Sequence, residues 1–152
     1  MSQSLLTLLE QAERARDEGQ AALQQAEQSA RDLQEQAQQL TQYHSEYDAR
    51  HPARNGRAAP IELLRCHLGF MQRLQQAQAQ QQAQLHAAQQ RVTQRIQALV
   101  GLEMRVAAIR KLLERREKEQ RTVKQRQEQR GNDEASQQRA WSRRHETPLA
   151  SN

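Results

Sequence analysis

Small and apolar side chains return every seven residues along most of the chain, in two stretches. The first runs Leu5, Ala12, Gly19, Ala26, Leu33, Leu40, Tyr47, and the second runs Leu64, Met71, Gln78, Leu85, Val92, Leu99, Val106, Leu113. A sustained heptad belongs to α-helices that wind around one another, each hiding one narrow stripe. The pattern predicts a first helix over residues 1–48, with Ser4 as its N-cap. Residues 49–60 (ARHPARNGRAAP) carry two prolines and an Asn-Gly, so they read as a linker. A second helix follows over 61–130. Gly131-Asn132 is expected to interrupt it, and Asp133-Glu134 to cap a short last helix over 131–145. Residues 146–152 read as a disordered tail.

Two long helices joined by so short a linker favour an antiparallel pair. The expected fold is therefore all-α, a long antiparallel two-helix coiled-coil hairpin with a longer second helix. Folding about the linker puts Leu40 near Leu68 and Leu5 near Met104. It also sets Glu10, Glu13, Asp17 and Glu18 beside Arg91, Arg95 and Arg105. Exposed ion pairs contribute under about 1 kcal/mol each, so such matching serves register more than stability. Gly19, among Ala15, Ala22 and Ala26, is expected to permit close helix approach despite a helix-interior cost of about 1 kcal/mol. Gln75, Gln78 and Gln82 weaken the middle of the seam and mark a pliable zone.

In this register the second helix overhangs the first by about 25 residues, roughly 37 Å at about 1.5 Å per residue. The overhang carries Arg110, Lys111, Arg115, Arg116, Lys118, Arg121, Lys124, Arg126 and Arg130, with few apolar positions after Leu113. An isolated polar helix of that length is marginal in water, so it should fray or await a partner.

Composition supports helices and excludes a broad core. Hydrophobic residues make up 36% and aromatic residues 3% of the 152, and the mean hydropathy is -1.10. Such a chain buries a stripe and little else. Glutamine supplies about a fifth of the residues and, with Ala, Arg, Glu and Leu, gives the make-up of long-helix proteins. The net charge of +5 permits contact with nucleic acid, anionic lipid or an acidic protein surface. The lone Cys66 forms no intramolecular disulfide and suits a reducing compartment. Neither a secretory signal nor an apolar run near the ~20 residues of a membrane span is visible, so the expected location is cytoplasmic.

Catalytic chemistry finds no foothold. His44, His51, His67, His86 and His145 are scattered, and Cys66 and His67 are sequence neighbours that cannot both point one way on a helix. No CxxC, HExxH, paired carboxylates or glycine-rich phosphate loop is present, so no metal, cofactor or small-molecule substrate is expected. The basic overhang lacks aromatic residues for stacking on bases and alternates with Glu114, Glu117, Glu119 and Glu128, which favours a solvated helix over a nucleic-acid surface. Phe70, Leu74, Ala77 and Gln81, spaced four, three and four, form a stripe next to the seam. Apolar stripes at helical spacing are usually core, here with Tyr43 and Tyr47 across from Phe70. An exposed Phe-Leu pair on a polar helix would instead anchor a partner.

Three motifs in order, Leu40-x2-Tyr43-x2-Glu46-Tyr47, Phe70-x3-Leu74 and Asp133-Glu134-Ala135, together with the short–long hairpin, make the chain resemble the FliJ family of flagellar export proteins. The resemblance implies a non-enzymatic coiled coil of the flagellar type III export apparatus, shaped like the central stalk of a rotary ATPase. It implies three partners: the hexameric export ATPase, the cytoplasmic domain of the export-gate membrane protein FlhA, and export chaperones. The family's gate-binding stripe maps onto Phe70, Leu74, Ala77 and Gln81. The ATPase ring would be met by residues near Leu5–Arg16 and by the basic overhang, with Arg110, Lys111, Leu113, Arg115 and Arg116 as the contact set. The implied location is the cytoplasmic face of the inner membrane at the flagellar base. A virulence-type secretion stalk and a nucleic-acid-associated basic coiled coil are the competing readings. Nothing in the sequence explains Trp141.

Overall fold

The computed structural model describes residues 2–56 and 58–146. Its elements are α1 (Ser2–Ala49), a 3-10 turn (Arg54–Gly56) and α2 (Ile61–His145), with no strand among the described residues. The all-α hairpin with a longer second helix is what the heptads predict. The chain divides into two compact units, one spanning Glu10–Val106 and one drawn from the terminal stretches Met1–Leu9 and Ala107–Asn152.

Local chemistry sets the ends of the helices. α1 begins at Ser2, so Ser4 lies inside its first turn and is not the expected cap. Leucines at 5, 6, 8 and 9 are strong helix formers, and no Pro or Gly precedes them to stop the helix there. At the other end the helix tightens as the Arg50 N–H donates to the Tyr47 carbonyl (3.1 Å) and the His51 N–H to that of Asp48 (3.2 Å), just before Pro52. Gly56 turns the linker with φ at 73°, a conformation that glycine adopts without a Cβ clash. The Pro60 carbonyl then accepts from the N–H groups of Leu63 (3.1 Å) and Leu64 (3.2 Å), opening α2. Glu62 in its first turn and Arg143, Arg144 and His145 in its last complement the helix dipole.

α2 passes through Gly131-Asn132 without the expected interruption, and Asp133 and Glu134 are interior helical residues. No separate helix over 131–145 exists. One glycine costs about 1 kcal/mol in a helix, which good helix formers on both sides absorb. The expected disordered tail lies outside the described residues except Glu146, whose N–H donates to the Ser142 carbonyl at 2.9 Å.

Within Glu10–Val106 the two helices run antiparallel. Tyr47 stacks on Phe70, Gln81 reaches Gln36, and a Cβ at Gly19 would meet Leu102 and Leu99. Leu40, between Gln36 and Tyr47, therefore lies opposite the stretch between Phe70 and Gln81. That corrects the expected pairing with Leu68, which is 60% exposed. The acidic match also shifts: Arg91 and Arg95 line a groove with Ala22, Gln25, Ala26 and Ser29, away from Glu10–Glu18. The linker causes the offset. It turns back beside the first turns of α2, putting the His51 ring 4.8 Å from that of His67, so α1 starts its pairing further along.

The seam uses two positions per heptad, as coiled coils do. On α2 these are the row from Leu64 to Val106 and a second row of His67, Leu74, Gln81, Ala88 and Leu102, all buried or half-buried. On α1, Arg16, Leu23, Ala30, Ala37 and His44 join the row from Ala12 to Tyr47. Buried residues of this unit are small or aliphatic: Ala12, Ala37, Leu74, Leu85, Ala88 and Val106. Arg16 lays its stem in the seam and turns its guanidinium to Asp17 at 3.1 Å. In the other unit Ile109 is buried, and Leu5, Leu9 and Leu113 are half-buried.

Candidate functional site

Two surfaces carry the sequence-derived candidates, and the helices position them differently. The first is the stripe Phe70, Leu74, Ala77 and Gln81 on α2. Leu74 is buried at 9% exposure, while Phe70, Ala77 and Gln81 are half-buried. The stripe does not lie beside the seam as expected, because Leu74 and Gln81 occupy the seam's second row. On α2 the first heptad row is apolar at every position but Gln78, whereas His67, Gln81 and Arg95 disguise the second. Phe70 and Ala77 flank that row.

Phe70 and Gln81 contact α1 directly, and Leu74 is buried between them. The Phe70 ring stacks on Tyr47 with centroids 4.1 Å apart. Tyr47 also stacks on His67 (6.4 Å), and His67 meets His51 edge-on (4.8 Å). Four rings thus close the linker end of the hairpin. Tyr43, expected to share that role, is 58% exposed. The His51 Nδ1 accepts the Ala53 N–H at 3.1 Å. The buried His67 Nε2 has no hydrogen-bond partner. Further along, Gln81 Nε2 donates to Gln36 Oε1 (2.8 Å) and to the Leu33 carbonyl (3.4 Å). A half-buried seam glutamine is thereby satisfied across the helix pair. A cavity of about 240 Å³ opens beside it, lined by Ala37, Thr41, Gln78, Ala79, Gln81 and Gln82.

The second surface is the basic part of α2. Arg110, Lys111, Arg115 and Arg116 are exposed and Leu113 is half-buried. Beyond Leu113 every described side chain of α2 is exposed except the half-buried Ala135. Residues 107–130 hold nine bases and four acids, a balance of +5 that equals the net charge of the whole chain. The rest of the sequence is neutral in sum, so the chain's long-range positive field originates in this segment. Arg121 pairs with Glu117 at 3.6 Å across one turn, and both side chains remain mostly in water. Trp141 stacks on His145 (4.0 Å) and is 64% exposed. A tryptophan and a histidine four residues apart carry no heptad signal, so the sequence pattern does not foretell that stack.

No group of three His, Cys, Asp or Glu that could hold a metal occurs among the described residues, and Cys66 is exposed. No helix in that set is long and apolar enough to cross a membrane. The remaining grooves are shallow and polar, such as that lined by Gln39, Gln42, Tyr43 and Glu46.

A chain with two helical arms, Gln78 and Gln81 within their seam, and an exposed basic end of α2 can be placed by comparison. The family model described as flagellar FliJ protein matches residues 1–145. The chain belongs to the FliJ family. It is accordingly a component of the flagellar protein export apparatus, and the family is a non-catalytic one. The match extends through the basic helix and Trp141, so the FliJ pattern covers both candidate surfaces. No curated protein and no solved structure matches the chain.

Proposed function

We propose that this FliJ-family chain is the stalk of the flagellar export ATPase ring. It promotes assembly and turnover of that ring, links it to the cytoplasmic domain of FlhA, and escorts export chaperones. It works in the cytoplasm, held peripherally at the inner membrane by its partners. The observation that carries this reading is the basic stretch 107–130 of α2, whose balance of +5 equals the net charge of the whole chain and whose side chains beyond Leu113 are all exposed.

A helix of this kind gains its burial from others. Six ATPase subunits around it would cover apolar positions such as Leu112 and Leu113, at about 2 kcal/mol for each side chain fully buried. Arg110, Lys111, Arg115 and Arg116 would meet acidic groups of the ring, with orientation and association rate as the main gains. An asymmetric helix inside a ring biases the subunits unequally, and that coupling needs no catalytic residue. Phe70, Leu74, Ala77 and Gln81 form the gate-binding stripe. The flagellar family favours this system over a virulence-type stalk, and the aromatic-free basic run offers no stacking platform for nucleic acid.

The test is co-purification of the full chain with the export ATPase and with the FlhA cytoplasmic domain. Phe70→Ala should lose the gate domain and keep the ATPase, with far-UV circular dichroism unchanged. Retained gate binding would remove the stripe from the reading, and loss of both partners would assign Phe70 to folding alone.

A further inference from the structure

We propose that the last two turns of α2, residues 139–145, are a docking tip for an anionic lipid surface. Trp141 enters the headgroup layer there, while Arg139, Arg143 and Arg144 meet lipid phosphates. The tip lies past the 107–130 stretch, so it stands whether or not that stretch enters an ATPase ring.

Trp141 is the chain's one tryptophan, and burial does not account for it: the residue is 64% exposed. Its ring stacks on His145, one turn further along the same helix, with centroids 4.0 Å apart. The His145 Nδ1 donates to the Trp141 carbonyl at 2.9 Å, which holds the two rings together at the helix end. An exposed indole is a large apolar ring with a polar N–H, the amphipathic form enriched where a bilayer meets water. The neighbours of Trp141 argue against a protein groove. A helix docked in a groove presents apolar anchors three, four and seven residues apart. At those spacings from Trp141 the helix carries Glu134, Gln137, Gln138, Arg144 and His145, all polar. Between Val123 and Trp141 the only apolar side chains are Ala135 and Ala140. A single strand of nucleic acid needs several rings to stack successive bases, and Trp141 is the only Phe, Tyr or Trp beyond Phe70.

Charge points the same way. Arg139, Arg143 and Arg144 are exposed, and the one acid near them is Glu146, just beyond the helix. On a helix of about 3.6 residues per turn, Arg139 and Arg143 lie on the side opposite Trp141, and Arg144 lies beside it. Arg139 and Arg143 accordingly line a separate groove, with Ala135, Gln138, Ser142 and Glu146. Bases spread around the helix suit a charged plane met by its end, and suit poorly a partner lying along one side. From 139 to 145 the helix rises about 9 Å, comparable with the depth of a headgroup layer. Flexible arginine stems can therefore bring all three guanidiniums to the phosphates while the indole lies among the headgroups. The same bases offset the partial negative charge of the helix C-terminus, which alone would repel an anionic surface. One aromatic ring and three bases give a weak, reversible hold that salt screens.

The sole tryptophan reports on its own surroundings, so the full chain tests the tip directly. Cosedimentation and Trp141 emission are measured with vesicles of phosphatidylcholine alone and with a third of phosphatidylglycerol. Only the anionic vesicles should carry the chain down and shift Trp141 emission to the blue, and high salt should reverse both. Arg139→Gln and Arg143→Gln should each weaken cosedimentation by ~5-fold, and Trp141→Ala by ~10-fold. Far-UV circular dichroism should not change, because all three side chains are exposed. The control pair Arg115→Gln with Arg116→Gln should leave the blue shift in place. An unshifted Trp141 emission with anionic vesicles would overturn the tip. So would vesicle binding that depends on Arg115 and Arg116 but not on Trp141, or an equal shift with phosphatidylcholine alone. A Trp141 response to single-stranded DNA or to the export ATPase, with none to vesicles, would overturn it in favour of that partner. Vesicle binding through Trp141 by a chain that fails to capture the ATPase would keep the tip and remove the stalk reading.

Discussion

Leu74 and Leu68 separate the two kinds of leucine in this chain. Leu74 is buried against α1, and Leu68, six residues earlier, is 60% exposed. Truncation of a buried leucine forfeits its transfer free energy and leaves a cavity, so Leu74→Ala should cost about 2–3 kcal/mol in urea unfolding, the low end of the range for so thin a core. Leu68→Ala should stay within about 0.5 kcal/mol. Equal effects would contradict the register that follows from Tyr47 on Phe70. The glycines offer a second contrast. A Cβ at Gly131 meets open space, so Gly131→Ala should raise local helix stability by about 1 kcal/mol, read from slowed exchange of the surrounding amides. Gly19→Ala should gain less, because Leu102 must first swing away from a Cβ only 2.7 Å from its Cδ1. If both gave the same gain, Gly19 would not be a point of close approach.

At the scale of elements, the seven-residue beat specified both helices, and two prolines with an Asn-Gly specified the linker, because these are local signals. The register was less legible. It depends on where the linker turns back, and the His51–His67 packing that fixes this joins residues with no shared pattern. The second seam row was hidden for a related reason: His67, Gln81 and Arg95 interrupt its apolar character, although Leu74, Ala88 and Leu102 continue the spacing. The expected break at Gly131 failed because a single glycine is a weak stop when Arg, Gln and Glu surround it. The same logic predicts a gradient along α2. Amides of 114–145, whose side chains bury almost nothing, should exchange faster than those of 85–106. The glutamine-rich stretch 72–84 should fall between them, and uniform protection across 72–106 would contradict a pliable zone there.

For the whole molecule, family membership over residues 1–145 places the chain in flagellar protein export, and charge distribution says how it would act. With the net charge confined to residues 107–130, the proposed attraction to an acidic ring would be electrostatic at long range and screened by salt. Raising salt from 50 to 500 mM should weaken ATPase association markedly while leaving gate binding through Phe70 and Leu74 nearly constant. Equal salt sensitivity of the two interactions would place basic residues in both. The stripe proposed to bind the gate was legible only as a spacing of four, three and four. Its contacts with α1 are a property of the pair and have no signature in either helix alone.

The most direct test concerns the basic helix as the ATPase-acting element. ATP turnover by the export ATPase should be measured with the full chain and with a chain ending at Ala107, which keeps the whole of Glu10–Val106. The account predicts that the full chain stimulates turnover, and that the shortened chain does not while still capturing the FlhA domain. Undiminished stimulation by the shortened chain would contradict it.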